Sequence, residues 1–239
     1  MDPEKFYSQL YARDGNYGKG GNHEARSVAA IEKKYGKGAP LRILDIGCGR
    51  GDLLEGILQK LKHAGHANVK AVGVDISDRA LQEAQEKGIE THMADIDGKP
   101  LPFGNDEFDA VLCFHVLEHI IYTDELIGEC RRVMKKGGVF IVETPNVAWY
   151  ANRVVLALGM PPIGIECSAR KTNYGVWRGP LKEHIGKFDV AGHVRAFTLG
   201  SLKDNARENG LKIVGEYGTD RFFGLVPSFA RNIGLVLTK

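Results

Sequence analysis

Three titratable side chains lie within five residues, in the segment His115-Val-Leu-Glu-His119. An imidazole titrates near neutral pH, so His119 is the first candidate for a general base, with His115 as a second candidate catalytic residue. Spacings of three and four residues place His115, Glu118 and His119 on one face if the segment is helical. The alternative is that His119 only packs or forms a hydrogen bond at the start of a helix.

Residues 41–51 predict the strand and turn that would position a small ligand near these groups. Four of the first six residues are aliphatic, and glycines follow at 47, 49 and 51. An apolar run bounded by glycines is typical of a buried parallel strand, and glycine permits positive φ and the close approach of a ligand. Apolar residues at helical spacing over 52–61 complete the strand, turn and helix that cradle nucleotides in doubly wound α/β proteins.

Two kinds of ligand compete for this turn. A dinucleotide site of the NAD type expects Gly-x-Gly-x-x-Gly, which would require glycine at position 52, where the chain has Asp52. A carboxylate at the start of the helix would repel a pyrophosphate and favours a ligand with a cationic centre. A second acidic residue, Asp75, ends the next predicted strand and could accept hydrogen bonds from both hydroxyls of a ribose in either kind of ligand.

The spacing Asp45-x-Gly47-x-Gly49-x-Gly51 resembles motif I of class I S-adenosylmethionine-dependent methyltransferases. Residues 100–112, which read Leu-Pro-Phe and then Phe-Asp-x-Val, also resemble a segment of that family. Four segments in matching order cover roughly residues 40–145, and the type is similar to the UbiE and MetW proteins. The resemblance implies S-adenosylmethionine as cofactor, ribose binding at Asp75 and adenine binding at Asp95. The residues assigned to the cofactor site are Asp45, Gly47, Cys48, Gly49, Gly51, Asp75, Ile76, Asp95, Ile96 and Phe114.

The same resemblance predicts one domain over residues 1–239. Its sheet would be a doubly wound, mostly parallel, seven-stranded Rossmann-like α/β sheet with helices on both faces and a last antiparallel strand. We divide the chain into a leader (1–39), a cofactor half (40–145) and a substrate half (146–239) with a lid insertion (159–194).

Periodicity and capping signals predict the helices and strands. The predicted strands are 41–46, 69–75, 89–94, 110–115, 139–143, 211–217 and 233–238, and the helices are 23–35 (capped by Asn22), 52–61, 79–87, 123–135, 144–158 and 198–209.

The leader and the lid are the segments that resemble the family least. In relatives the leader folds over the cofactor, so Tyr17 and Arg26 could close the site. Arg26 could pair with the methionine carboxylate of the cofactor, or it could be a solvated arginine on a helix. The lid favours an anionic or partly aromatic substrate, although a solvated basic surface would give the same pattern. Between residues 160 and 195 the cations are at 170, 171, 178, 182, 187 and 195, the acids at 166, 183 and 189, and the aromatic residues are Tyr174, Trp177 and Phe188.

The predicted activity is O-methylation, or N-methylation, of a small molecule, and two alternatives stay open. Small-RNA 2′-O-methyltransferases and ubiquinone-pathway O-methyltransferases carry Glu-x-x-Glu-His at residues 115–119, and the RNA enzymes add a histidine matched here by His193. The set His115, Glu118, His119 and His193 would suit zinc better than magnesium. Because most relatives with Leu-Glu-His bind no metal, we expect none. A MetW-like accessory protein acting with a partner enzyme is the other alternative.

Composition is that of a soluble globular protein. The chain has 239 residues, 43% of them hydrophobic, and a formal net charge of +2, which argues against nucleic-acid binding by electrostatics. No stretch resembles a signal peptide or a membrane span. Four cysteines without a Cys-x-x-Cys pair predict a reducing cytoplasm. Cys48 and Cys113 are expected to be small buried fillers.

Overall fold

A seven-stranded mixed sheet forms the centre of the molecule. The computed structural model describes residues 23–168, 170–177, 179–186, 190–220 and 226–239. The strand order is β3-β2-β1-β4-β5-β7-β6, and only β7 runs antiparallel to its neighbours. This confirms the predicted doubly wound sheet and its last antiparallel strand. The strands are β1 Leu41–Ile46, β2 Val69–Asp75, β3 Glu90–Met93, β4 Phe108–Phe114, β5 Met134–Pro145, β6 Lys212–Gly218 and β7 Asn232–Thr238.

Helices cover both faces of the sheet, as predicted. One core contains Leu44 with Leu126 and Leu202 from two helices, and the opposite core contains Ile43 with Ile31 and Leu54 from two others. Alternate strand residues point to opposite faces, so the four aliphatic residues of β1 supply both cores. The helices are α1 His23–Lys34, α2 Asp52–His63, α3 Asp78–Glu86, α4 Thr123–Val133, α5 Tyr150–Ala157, α6 Pro180–Ile185 and α7 Leu199–Glu208, with 3₁₀ helices at Leu117–His119 and Pro227–Phe229.

Local capping explains two of the helix starts. Ser77 caps α3 by accepting a hydrogen bond from the Ala80 amide at 3.4 Å. Thr198 caps α7 and forms a capping box with Ser201, so the predicted helix start at 198 is confirmed. The Asn22 cap predicted for α1 lies outside the described residues.

The helix predicted to open at 144–146 begins instead at Tyr150, because β5 continues to Pro145. Asn146 follows the strand and donates from Nδ2 to the carbonyls of Ser228 and Ala230, so the chain leaves the sheet only after this residue. At its other end β5 starts at Met134, earlier than the predicted 139, through a register shift that pairs Phe108 with Met134 and Ala110 with Val139.

The predicted boundaries at 39 and 145 stay predictions, as does the function of the 159–194 insertion. The insertion contains one short described helix, α6. Across the part of the chain that the structure describes, no helix combines the length and apolar character needed to span a bilayer.

Candidate active site

The glycine turn between β1 and α2 is fixed to the end of β2 by a carboxylate. Asp75, 5% exposed, accepts hydrogen bonds from the amides of Gly49 and Ser77, each at 2.9 Å. The three glycines of the turn have φ of 67°, 52° and 75°, the left-handed region that favours glycine. Asp75 therefore orders the turn and, at the carboxyl edge of the sheet, lies where a ribose was predicted.

Two of these glycines are required by packing within the chain. A Cβ on Gly47 would lie 2.5 Å from Val116 Cγ2, and one on Gly51 would lie 2.5 Å from Ile89 Cδ1. Positive φ and the close approach of a ligand were the reasons predicted for these glycines, and the positive φ is confirmed. At 47 and 51 the side chains of Val116 and Ile89 give a further reason within the chain, and the approach of a ligand stays a prediction.

The carboxylate of Asp52 also has a partner within the fold. Lys87 Nζ forms an ion pair with Asp52 and donates to the Arg50 carbonyl at 2.8 Å. The charge of Asp52 is therefore already compensated within the fold by a lysine just after α3, and its preference for a ligand with a cationic centre stays a prediction.

A buried acidic pair lies beneath the turn. Burial, and then the charge of Asp75, raise the pKa of Asp45 to about 8. Burial likewise raises the pKa of the thiols of Cys48 and Cys113 above their ordinary value. Neither cysteine is a reactive thiolate, which agrees with their expected role as buried fillers.

The predicted adenine residues follow β3. Asp95 accepts the Asp97 amide at 3.1 Å and pairs with Lys99 Nζ at 2.8 Å, and this lysine lowers the pKa of the Asp95 carboxyl. Ile96 is half-buried against the core. Asp97 is more than a surface turn, because its Oδ1 accepts the amides of Ile121 and Tyr122.

The proposed helical face at 115–119 does not form. His115 has a φ of 56° and only Leu117–His119 is helical, as a single 3₁₀ turn. The chain leaves β4 through this left-handed residue, whose amide donates to the Glu143 carbonyl at 2.9 Å. A positive φ at a non-glycine residue is uncommon and clusters at functional sites.

His115 lies between two buried carboxylates. Its Nδ1 is 3.3 Å from Glu118 Oε1 and its Nε2 is 3.5 Å from Glu143 Oε1. Burial alone would lower the pKa of His115, but Glu118 and Glu143 outweigh it and raise the pKa to about 10. His115 therefore carries a proton at neutral pH, and its place as a second catalytic residue stays a prediction.

Glu143 and His23 are site residues that the sequence analysis missed. Glu143 is fully buried, and His23 Nδ1 lies 3.2 Å from its Oε2. Burial would raise the pKa of Glu143, but His115 and His23 hold it at about 2. The available signal was a charged residue that ends the apolar run Val139-Phe-Ile-Val142.

Glu118, His119 and His193 form a second cluster, in which one ligand atom from each residue lies within 4.8 Å of the others. The two imidazole rings have centroids 4.9 Å apart. Burial lowers the pKa of His119 below its ordinary value, so this imidazole is neutral at pH 7. Three of the four residues predicted as one metal-binding set are thus together. The fourth, His115, contacts Glu118 with one ring nitrogen and Glu143 with the other.

The lid holds this second cluster in place. The amides of Val194 and Arg195 donate to the Glu118 carbonyl at 2.8 and 3.0 Å, and the backbone of Gly192 hydrogen-bonds His119. The Nδ1 of His193 lies 2.6 Å from the Gly164 carbonyl, which can only accept, so Nδ1 is the donor and Nε2 is the ring nitrogen left for another partner. A small cleft with a cavity volume of about 20 Å³ opens beside the cluster, lined by Glu118, Pro145, Asn146, Val147, Ile163, Gly164, Ile165, His193, Arg195 and Ala196.

Other predicted residues have different surroundings. Phe114 is buried with its ring edge-on to His23, and Ile76 is half-buried after β2. Arg26 Nη2 donates to the Gly218 carbonyl at 3.0 Å and its guanidinium lies over Tyr217, so a role on a cofactor carboxylate stays a prediction. Tyr17, Arg178, Lys187, Phe188 and Asp189 lie outside the described residues.

Comparison with known proteins gives concordant matches. A sequence family described as "Methyltransferase domain" matches residues 22–216. The ubiquinone biosynthesis O-methyltransferase of Chelativorans sp. (strain BNC1) is 32% identical over 126 residues, 53% of this chain and 46% of that protein. The protein of the same name from Caulobacter vibrioides is 30% identical over 184 residues, 73% of this chain and 65% of that protein. The chain thus spans about half the length of the first relative and just under two thirds of the second.

A solved structure agrees over nearly the whole chain. It is the complex between the Haloferax volcanii Trm112 methyltransferase activator and a methyltransferase. Its matching chain has a TM-score of 0.63 and 17% identity, covering 98% of this chain and 96% of that one. At this identity the likeness shows the fold alone.

The Asp45 carboxyl gives a testable pH dependence of stability. Between its ordinary pKa of 3.8 and about 8, folded Asp45 keeps a proton that the unfolded chain has released. The free energy of unfolding therefore falls as pH rises through that window. Asp45→Asn should make this fall smaller. Urea unfolding at several pH values measures the effect, with exposed Asp204→Asn as the matched control. An unchanged pH slope in Asp45→Asn would contradict the assignment.

Proposed function

The chain belongs to the class I S-adenosylmethionine-dependent methyltransferase family, and we propose that it transfers the methyl group of this cofactor to an oxygen, or a nitrogen, of a small acceptor. When bound, the cofactor would supply an electrophilic methyl group: an in-line attack by the acceptor oxygen or nitrogen would form the new bond to carbon, break the bond from carbon to sulfur and leave S-adenosylhomocysteine. Since the sulfonium is already a good leaving group, the protein's contribution is alignment, exclusion of water and removal of one proton.

The carboxyl edge of the sheet supports the cofactor part of the proposal. In open α/β sheets, ligands bind outside the carboxyl ends of the strands. The turn after β1, Asp75 at the end of β2 and Asp95 after β3 follow three neighbouring strands at this edge. Asp75 would hold the ribose and Asp95 the adenine amino group, with Ile96 and Phe114 as apolar neighbours. The turn would hold the methionine end.

The observation that carries the catalytic part is the environment of His119. It follows β4, keeps a neutral imidazole, and contacts Glu118 and His193 beside the cleft. A neutral imidazole can take the acceptor's proton as the bond from oxygen to carbon forms, and Glu118 stabilises the imidazolium that results. His115 already holds a proton between its two carboxylates. Its positive charge therefore partly neutralises them, and it does not act as the base.

The side chains around the cleft and on the lid favour an acceptor with an anionic or aromatic part. Arg195 lines it, and Tyr174 and Trp177 are exposed on the lid. The relatives named above act in ubiquinone biosynthesis, which favours an O-methyl acceptor. All four cysteines are free, and we assign the protein to a reducing cytoplasm on that basis.

Replacing His119 tests the catalytic proposal. His119→Asn should lower kcat by about 10²–10⁴-fold, the usual contribution of a general base, and leave S-adenosylhomocysteine affinity unchanged. Methyl transfer from labelled cofactor to candidate phenols and carboxylates measures turnover, and calorimetry measures affinity. His63→Asn, an exposed histidine on α2, is the control.

The contrary outcomes separate the alternatives. Full activity in His119→Asn would show that His119 is not the general base. Cofactor binding with no turnover of any acceptor, and co-purification with a second enzyme, would favour the MetW-like accessory role.

A metal-dependent form of the same reaction is the second candidate. The convergence of ligand atoms from Glu118, His119 and His193 favours it, and the protonated Nδ1 of His193 leaves Nε2 as the ligand atom. A divalent ion there would polarise the acceptor oxygen. In this case chelator-washed protein should lose activity and recover it with Zn²⁺ or Mn²⁺. Activity that persists in metal-free protein, verified by elemental analysis, would leave only the base mechanism.

A further inference from the structure

A second group of convergent ligand atoms lies on the other side of His115, away from His119. It consists of His23 at the start of α1, His115 after β4 and Glu143 in β5. We propose that these three residues bind a divalent transition-metal ion of the Zn²⁺ class. None of them belongs to the cluster of Glu118, His119 and His193, and the proposal does not depend on methyl transfer.

The spacing of the ligand atoms fits a metal ion. Bonds of 2.0–2.2 Å to nitrogen and oxygen place neighbouring ligands of a tetrahedral zinc about 3.4 Å apart. The separations are 3.2 Å from His23 Nδ1 to Glu143 Oε2 and 3.5 Å from His115 Nε2 to Glu143 Oε1, and one ligand atom from each of the three residues lies within 4.8 Å of the others. At 3.5 Å the second contact is too long for a good hydrogen bond.

The buried carboxylate itself points to a cation. Glu143 is fully buried, and among the described residues its Oε1 accepts no hydrogen bond, since the His115 ring that pairs with its charge lies 3.5 Å away. Leaving a buried charged oxygen without a hydrogen bond is costly, and native proteins usually pair such groups or bind metal with them. An ion on the His115 side of Glu143 would satisfy Oε1.

His115 has the second partner that metal-binding histidines usually have. Ligating imidazoles commonly donate their other ring N–H to a carboxylate, which fixes the tautomer. His115 Nδ1 lies 3.3 Å from Glu118 Oε1, and Thr144 Oγ1 donates to Glu118 Oε2 at 3.0 Å. With Nδ1 toward Glu118, Nε2 is the nitrogen that faces Glu143, and binding of the ion there would release the Nε2 proton of the imidazolium to solvent.

Access to the site comes from one side. The side chain of His115 is 35% exposed, whereas those of His23 and Glu143 are 9% and 0% exposed. Three protein ligands with one solvent-facing side leave a fourth position for water or a ligand. Both buried carboxylates near His115, Glu118 and Glu143, increase the attraction for a dication.

The test uses the full chain washed with chelator and titrated with Zn²⁺ by calorimetry, then with Co²⁺ by visible absorption. The wild type should bind one equivalent through these residues. Glu143→Gln and His23→Gln should each weaken binding by more than the 10–100-fold typical of an outer partner, and Glu118→Gln by about that amount. His193→Ala, which alters only the other cluster, should bind like the wild type.

Circular dichroism checks that each variant is folded, and His23→Gln decides the question if Glu143→Gln fails to fold. No Zn²⁺ binding by the wild type would overturn the proposal. Binding that is lost in His193→Ala but kept in His23→Gln would also overturn it, because the ion would then occupy the other cluster. A parallel methyl-transfer assay shows whether the proposed function fails separately.

Discussion

Two buried carboxylates flank one imidazole at the end of β4, and the arrangement of the site depends on how their charge is compensated. Glu118 and Glu143 come from different segments, and His115 lies between them with one ring nitrogen toward each. Removing an ion from water without a partner is strongly unfavourable, so breaking one of these contacts would leave an uncompensated buried charge. The left-handed backbone at His115 is the conformation that brings its ring to both carboxylates.

The sheet order determines what this charged centre can contact. β4 and β1 are neighbours at the middle of the sheet, with β2 and β3 on one side and β5 on the other. The glycine turn, Asp75 and Asp95 therefore lie on one side of the β4 end, and Glu143 and the cleft on the other. His119 stands between the predicted cofactor side and the predicted acceptor side, which is the position that direct transfer between two ligands requires.

The sequence predicted the features that are encoded locally. The apolar run of β1, the glycines after it and the carboxylate of Asp75 each have a short-range pattern, and the sheet order follows from the family resemblance. His23 and Glu143 are 120 residues apart and no periodicity connects them, so their contact could not be predicted. The helical face at 115–119 was wrong because spacing alone does not reveal the positive φ of His115. The ion pair of Asp52 with Lys87 could not be predicted either, since the two residues lie on different elements.

The central claim is that His119 faces the methyl group of a cofactor bound along the carboxyl edge of the sheet. A crystal structure with S-adenosylhomocysteine tests it most directly. The account predicts the ribose on Asp75 and a nitrogen of His119 about 2.6–3.2 Å from the place of an acceptor atom in line with the sulfur. A ligand bound elsewhere, or a His119 ring directed away from the sulfur, would contradict it.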